Sequence, residues 1–501
     1  MANNGTKFEF AGGARVSGGG HVLIVPLSTR PKPAMQMLSQ VDAFCDDAVS
    51  ELVDVGAVGQ DVGHLAHTTR SGVFRRIVVV SLGEAKKLDP RKIHKAAGQA
   101  ARWLIAERIT HATLWIDGLF ACELERPASE WAAGMALAGF RFTEHKEPSK
   151  DEVPKVRIRV ASSDKDYVAT KLPRIREAVT LAQAVNYARW LAHQPGNIIN
   201  PTTLASEARK LARQHNLKCA VLDFAQIKRA RLGGLLAVGR GAEHKPCLIR
   251  LEYRGASRAR TNTALIGKAI TFDTGGYSLK PSNGLETLKF DKCGGATVLG
   301  VMKAAATLKL PCNLVALVAA AENAISHEAY RPGDILRLAS GKTVEVVSTD
   351  AEGRLVLADA LWYAQKHCKP TVLIDVATLT GGVVTALGKT AAGLMSNDDA
   401  LSAALGESGR RTHERLWRLP LWDEYRELIK GQDSDIRNAA TKRAAAPIVG
   451  GMFLKEFVEE SIPWAHIDIA GTATEENGKE ATGFGVRLLI DYLRRRVPER
   501  T

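Results

Sequence analysis

Ser348-Thr349-Asp350-Ala351-Glu352-Gly353-Arg354-Leu355 places two carboxylates and a guanidinium within five residues, where a helical pattern running to His367 begins. Carboxylates that close repel unless a positive charge stands between them, so the run asks for a cation. Each residue alone also has a bland reading. Asp350 reads equally as a helix N-cap, and Glu352 as a first-turn partner of the helix dipole.

A second charged cluster lies upstream. In Ile266-Gly267-Lys268-Ala269-Ile270-Thr271-Phe272-Asp273-Thr274-Gly275-Gly276 an apolar strand carries a lysine and runs into an acid and a Gly-Gly turn. A lone ammonium is costly to bury, so Lys268 either faces solvent or meets charged partners. Lys280 follows the turn, and Asp291 precedes Gly294-Gly295 and another helical pattern. Four carboxylates and two lysines at glycine-flanked strand ends exceed what capping requires. Lys268, Asp273, Lys280 and Asp291 supply what a two-metal site would still lack beside Asp350 and Glu352.

The surrounding pattern is an alternation of strands and helices. In the first third, His21–Leu27, Arg76–Leu82, Ala112–Ile116 and Val156–Ala161 read as strands, and Met35–Val55, Pro90–Glu107 and Pro127–Phe140 as helices. His64 and His67 could share a helix face, with no carboxylate partner nearby. Thr143–Lys155 reads as a polar surface loop. A helix over Lys171–His193, ending at Gln194-Pro195-Gly196, connects a domain spanning 1–172 to a catalytic domain spanning 173–501. Beyond it, strands are expected near Ala220–Phe224, Pro246–Tyr253, Thr263–Thr271, Asn313–Ala320, Val372–Ala377 and Ala465–Ala470. Helices are expected from Pro201 and near Ala296–Leu308, Gly353–His367, Gly451–Glu459 and Arg487–Arg496. The expected class is α/β: two domains, each a mixed or mostly parallel sheet flanked by helices. Ligands in such sheets collect at the carboxyl ends of strands.

Composition narrows the setting. A chain of 501 residues is too long for one simple core. Seven scattered cysteines (Cys45, Cys122, Cys219, Cys247, Cys293, Cys312, Cys368) form no C-x-x-C pair, which argues against a thiolate zinc site and for a reducing compartment. No apolar run is long enough to span a membrane, and the first residues carry no signal-peptide core, so a cytoplasmic protein is expected. The net charge of +14 is uneven: residues 1–170 hold 22 basic against 20 acidic side chains, leaving 46 against 34 beyond them. A basic surface of that kind is either simply solvated or attracts anionic partners such as nucleic acid. No helix-turn-helix or aromatic RNA-binding motif accompanies it.

The strings TDAEGRL at 349–355, GKAITFDTGG at 267–276 and WAHIDIAG at 464–471 closely resemble the leucine (cytosol) aminopeptidase family. The resemblance covers roughly residues 175–495. It implies a metallo-exopeptidase that hydrolyses the first peptide bond of substrates with a free N-terminus. Carried over by position, Lys268, Asp273, Asp291 and Glu352 would hold one metal, and Asp273, Asp350 and Glu352 the second. Lys280 would stabilise the oxygen that gains charge, and Arg354 would hold a bicarbonate ion serving as base. The resemblance further implies two divalent ions per subunit (Mn²⁺ or Zn²⁺, alternatively Mg²⁺ or Co²⁺) and a homohexamer. Thr378, Leu379 and Gly381 match positions near a side-chain pocket, apolar enough to favour leucine.

Two positions depart from the family pattern. Ser348 stands where Asn usually precedes Thr-Asp, which alters pocket shape. Lys292 stands where Met is common. It is expected on the opposite strand face; pointing inward, it would compete with the metal. The runner-up reading is a nucleic-acid-binding protein with moonlighting or lost peptidase activity. A two-metal phosphatase or nuclease would also use clustered carboxylates, but calls for histidine ligands that this cluster does not contain.

Overall fold

The computed structural model describes residues 5–12, 21–30, 35–70, 73–119, 126–147, 155–256, 262–442 and 444–496. Two compact units emerge, Met1–Asn186 and Tyr187–Thr501. Both are mixed α/β, as the alternation of patterns led us to expect.

The first unit is built on six strands: β1 (Lys7–Gly12), β2 (His21–Arg30), β3 (Leu65–Thr69), β4 (Phe74–Glu84), β5 (His111–Trp115) and β6 (Lys155–Ala161). Their order is β1-β6-β5-β2-β4-β3, parallel throughout except where β3 runs against β4. Helices Pro90–Ala106 and Pro127–Ala138 bury Ile93, Leu104, Trp131 and Met135 against Ile24, Val78 and Ile158. A smaller cluster around Val25, Val79 and Trp115 receives Val41 and Val49.

Three expectations for this unit are corrected. The single helix over Met35–Val55 is two, Met35–Asp42 and Ala48–Asp54. The Asp42 carboxylate accepts the Val49 amide at 2.9 Å, and Asp46 and Asp47 take left-handed φ of 51° and 55°. Short acidic side chains that stabilise a turn thus win over continuous apolar spacing. His64 and His67 share no helix: His67 lies in β3, and His64 Nδ1 accepts the Gly59 amide. The strands β1 and β3 had no counterpart in the sequence reading. Of the polar loop expected over Thr143–Lys155, residues 148–154 lie outside the described residues, as does Cys122.

The connector helix starts earlier than expected, at Lys165, and reaches His193 with Pro173 inside it. Asp164 Oδ1 accepts the amides of Asp166 and Tyr167, which sets that start.

The second unit carries an eight-stranded sheet. Its strands are β7 (Lys218–Leu222), β8 (Cys247–Arg254), β9 (Asn262–Asp273), β10 (Asn313–Asn323), β13 (Val372–Ala377), β14 (Ala392–Ser396), β15 (Leu416–Arg418) and β17 (Trp464–Asp468). The order is β15-β14-β17-β13-β9-β10-β8-β7. The four central strands β17, β13, β9 and β10 are parallel, and β8 and β14 flank them antiparallel. A small second sheet joins β11 (Ile335–Arg337), β12 (Thr343–Glu345) and β16 (Ile436–Arg437).

Because helices cover both faces, the central strands read as apolar runs, broken in β9 only by Lys268: Thr263–Ile270 and Leu314–Ala321 are buried residue by residue. Helix Cys293–Thr307 lies against one face, close enough that a Cβ on Gly267 would stand 2.6 Å from Gly295 Cα. Helix Gly353–Cys368 covers the other face, packing Leu355, Val356 and Leu361 on Ile266, Ile270 and Leu373. Helix Gly451–Glu459 of the sequence reading is Ala446–Lys455, and the strand at Ala465–Ala470 is Trp464–Asp468. No helix of the described residues is long and apolar enough to cross a membrane. The six cysteines within the described residues are free thiols.

Candidate metal centre

The carboxyl ends of β9, β10, β13 and β17 lie side by side, where ligand sites form in parallel sheets. Strand β9 ends in Asp273, and the chain then turns through Gly275 and Gly276, at φ of 84° and 62°. Only glycine takes two successive left-handed residues without strain. The turn returns Lys280 to the strand end, where its ammonium pairs with Asp273 Oδ2 at 2.9 Å and with Asp350 Oδ1.

Lys268, midway along β9, is 2% exposed and so does not face solvent. Its ammonium lies 2.8 Å from Asp291 Oδ1, 2.8 Å from Glu352 Oε1 and 2.8 Å from the Thr378 carbonyl. Gly353 gives it room, since a Cβ there would stand 2.7 Å from Lys268 Cε. The bland readings of the opening motif fail on the same geometry. Glu352 holds the N-cap position of helix Gly353–Cys368 without a capping hydrogen bond, and its carboxylate turns to Lys268 instead.

All four predicted acids are therefore drawn together by two lysines. Asp273, Asp350 and Glu352 each offer an oxygen within 4.8 Å of the others. Asp291 stands beside them through its link to Lys268. Burial pushes the Asp291 carboxyl up to about 8, with the Lys268 ammonium opposing and the Asp273 carboxylate adding to the rise. Burial raises Glu352 and Asp350 as well, helped by Asp273. For Lys268 burial works downward, but Asp291, Glu352 and Asp273 outweigh it and hold the ammonium above its usual range. A neutral amine at Lys268 would thus need cations beside it that outweigh those acids.

These residues fit a bound cation. Asp291 Oδ2 and Glu352 Oε2 are buried with no hydrogen-bond partner among the described residues. A buried carboxylate oxygen left unpaired is costly, and a metal ion is the partner such a donor set accepts. An all-carboxylate oxygen set with one amine suits hard or borderline divalent ions and discriminates weakly among them.

Arg354, second in its helix, is buried. Its Nη1 donates to the Asn438 carbonyl at 2.8 Å, and its Nε has no partner among the described residues. Burial pulls the guanidinium down to about 10, against Glu352 and Asp468. Thr378, expected at a pocket, spends its hydroxyl on Asp291 Oδ1 at 2.7 Å. Leu379 is half-buried, and Gly381 is exposed at the start of helix Gly381–Leu387. Ser348 Oγ accepts the Asp350 amide at 3.2 Å.

Lys292 corrects an expectation. It lies on no strand but in a 3-10 segment, Leu285–Lys292, and is 1% exposed. Its ammonium donates to the carbonyls of Gln194 and Lys289 at 2.6 and 2.5 Å, and burial pushes it down to about 7. It points inward, yet towards backbone oxygens.

Several residues of the site were not singled out from the sequence. Asp468, at the end of β17, accepts the Leu379 amide at 3.0 Å and the Thr380 hydroxyl at 2.7 Å, fixing the loop that carries Thr378. Asn438 accepts the Val347 amide at 2.7 Å and donates to the Ser348 carbonyl at 2.6 Å. Asn323 ends β10 beside Asp273. The signal available for Asp468 and Asn323 was a polar residue closing an apolar strand run.

The fold and the cluster together define an α/β protein that gathers carboxylates at the carboxyl end of parallel strands, in an arrangement that fits a cation. Comparison with known proteins makes this specific. The catalytic domain of the cytosol aminopeptidase family matches residues 186–490, and the N-terminal domain of that family matches residues 27–149. The chain is 43% identical over 430 residues to a probable cytosol aminopeptidase of Geotalea uraniireducens, covering 84% of this chain and 85% of that one. It is 41% identical over 472 residues to that of Nitrosococcus oceani, covering 92% and 93%. A tomato leucine aminopeptidase mutant superposes with a TM-score of 0.85 at 31% identity, covering 98% of this chain and 96% of that one. The bottromycin maturation enzyme BotP in complex with Mn superposes at 0.82 with 29% identity, covering 95% and 99%. The chain belongs to the cytosol aminopeptidase family, and is an aminopeptidase.

Proposed function

We propose that the chain is a two-metal leucyl aminopeptidase, releasing N-terminal leucine and other apolar residues from peptides with a free amino end. The observation that carries this reading is the meeting of Asp273, Asp350 and Glu352 oxygens within 4.8 Å, beside buried carboxylate oxygens that lack a partner among the described residues. Lys268, Asp273, Asp291 and Glu352 would hold one divalent ion, and Asp273, Asp350 and Glu352 the other. Mn²⁺ is the first candidate, with Zn²⁺, Mg²⁺ and Co²⁺ as alternatives. Bound there, the ions would supply Lewis acidity to the scissile carbonyl and bring the pKa of the attacking water down towards about 7.

The chain's own side chains do the remaining work. Lys280, paired with two carboxylates at the mouth of the turn, is a fixed cation for the oxygen that gains charge. Arg354, whose Nε has no partner among the described residues, would offer it to a bicarbonate ion, the proposed proton acceptor, since no histidine falls in the cluster. Thr378, Leu379 and Gly381 border the pocket for the first side chain. An apolar pocket gains about 1–3 kcal/mol per methylene, so preference for leucine is graded rather than strict. The reading extends to a cytoplasmic homohexamer and to a domain boundary near residue 172.

The test is release of p-nitroaniline from leucine p-nitroanilide after loading with Mn²⁺ or Zn²⁺, beside its N-acetylated counterpart. Hydrolysis of the free amine alone is expected; none from folded, loaded protein overturns the reading. Lys280→Ala should lose turnover while keeping both metals, and Asp291→Ala should lose metal. Equal metal loss in both refutes the assigned roles. Light scattering at six times the 54.1 kDa chain mass is expected for the assembly.

A further inference from the structure

We propose that Asn323 is a positioning residue of the metal centre: its amide pins one oxygen of Asp273 and the Thr349 carbonyl, leaving the other Asp273 oxygen to the cations. This rests on the two-metal reading and concerns how the chain builds that centre.

Asn323 is fully buried as the last residue of β10, in register with Asp273 of β9. The register slips between Ala321 and Asn323, an irregularity that re-aims a strand-end side chain. The two amide hydrogens of Asn323 are both used, on Asp273 Oδ1 at 2.8 Å and on the Thr349 carbonyl at 3.0 Å. Both partners are acceptors, so the amide orientation is settled: a flipped Asn323 would set oxygen against oxygen. Its own Oδ1 has no partner among the described residues, and Gly276 leaves room for it, a Cβ there standing 3.0 Å away. The Asn323 carbonyl also accepts the Thr274 amide at 3.0 Å and hydroxyl at 2.8 Å. One residue thus ties the strand end of Asp273 to the segment that delivers Asp350 and Glu352.

The consequence for Asp273 is an asymmetric carboxylate. Oδ1 accepts from Asn323 and from the Gly275 amide at 2.9 Å, while Oδ2 faces Lys280. Two hydrogen bonds on one oxygen fix the carboxylate plane, so Oδ2 is presented in a single direction before any ion arrives. Outer partners of this kind change metal affinity by about 10–100-fold when removed.

A purely architectural role would act differently, and Tyr330 supplies the comparison. Its hydroxyl donates to the same Thr349 carbonyl at 2.8 Å, and no hydrogen bond joins it to Asp273 among the described residues. The experiment measures Mn²⁺ affinity of metal-stripped full-length protein by competition with a fluorescent chelator, for wild type, Asn323→Ala, Asn323→Asp and Tyr330→Phe. Urea unfolding of each stripped protein runs alongside. Asn323→Ala is expected to weaken Mn²⁺ binding by about 10–100-fold, and Tyr330→Phe to leave it within threefold even where its stability falls as far. Asn323→Asp keeps the shape without the donors, so it tests the proposal if the alanine variant does not fold; weaker or altered Mn²⁺ stoichiometry supports it. Wild-type affinity in a folded Asn323 variant, or equal affinity losses in Asn323→Ala and Tyr330→Phe, overturns it. Failure of the wild type itself to bind Mn²⁺ would instead overturn the two-metal reading.

Discussion

Lys268→Met is the sharpest test of how the charges at the strand ends are balanced. Methionine keeps the length of the lysine stem but removes the ammonium between Asp291 and Glu352, each 2.8 Å away. The three side chains are 3%, 11% and 2% exposed, so water cannot replace the lost partner. Removing one member of a buried ion pair costs about 3–5 kcal/mol, because the charge left behind stays desolvated. The Thr378 carbonyl loses its donor as well, about 1 kcal/mol more. In metal-stripped protein the variant should therefore unfold about 4–6 kcal/mol more easily, a large share of the 5–15 kcal/mol typical of a domain. Excess Mn²⁺ should stabilise the wild type at least as much as the variant and so leave the gap open, since an ion bound only to the folded state adds about 2.7 kcal/mol at a hundredfold excess over its Kd and the variant lacks one of the proposed ligands. Urea unfolding followed by tryptophan fluorescence, with and without Mn²⁺, measures both effects. Lys280→Met serves as the comparison: Lys280 is 23% and Asp350 36% exposed, so its stripped protein should lose less. A loss under about 1 kcal/mol for Lys268→Met would refute the argument, because it would mean the buried acids never relied on that ammonium.

Gly353→Ala separates local helix propensity from the site. Alanine is the better helix former by about 1 kcal/mol, yet its Cβ would stand 2.7–2.8 Å from Lys268 Cδ, Cε and Nζ; loss of metal affinity, measured by chelator competition, is expected despite the improved helix. Thr378→Val removes the hydroxyl held by Asp291 Oδ1, and metal affinity should fall about tenfold with little change in the unfolding midpoint of stripped protein. His193 sets an acid limit. Its Nε2 accepts the Ala481 amide at 3.1 Å, which requires the neutral ring, and burial with Arg189, Lys289 and Lys292 pulls it down to about 4. The unfolded chain binds that proton near 6.5 and the folded one only near 4, so stability is full above about 6.5 and falls towards 4, by at most about 1.4 kcal/mol per pH unit. Unfolding midpoints between pH 7 and 5 should drop less in His193→Gln than in the wild type.

The parts of the site that could be read in the chain were those whose chemistry is unusual wherever they occur. Asp350 and Glu352 beside Arg354, or Lys268 inside an apolar strand, demand partners whatever the fold, so the acids and lysines were legible before their distances were known. Thr378, Asn323, Asp468 and Asn438 carry no such demand. A threonine after an apolar strand reads as pocket lining or a turn, and only the placement of β13 beside β9 turns its hydroxyl to Asp291. Asn323 is more opaque still, because its role depends on a register slip of β10 against β9 that no periodicity announces. The fold divides along the same line. Long apolar strands were legible, while the break after Asp42 and the inward turn of Lys292 depend on single side chains finding backbone partners. Lys292 shows the principle at its clearest. A buried ammonium next to a carboxylate reads as a rival to the metal. The carbonyls of Gln194 and Lys289 instead give it acceptors of its own, so its charge is spent on the backbone and Asp291 remains available to the site.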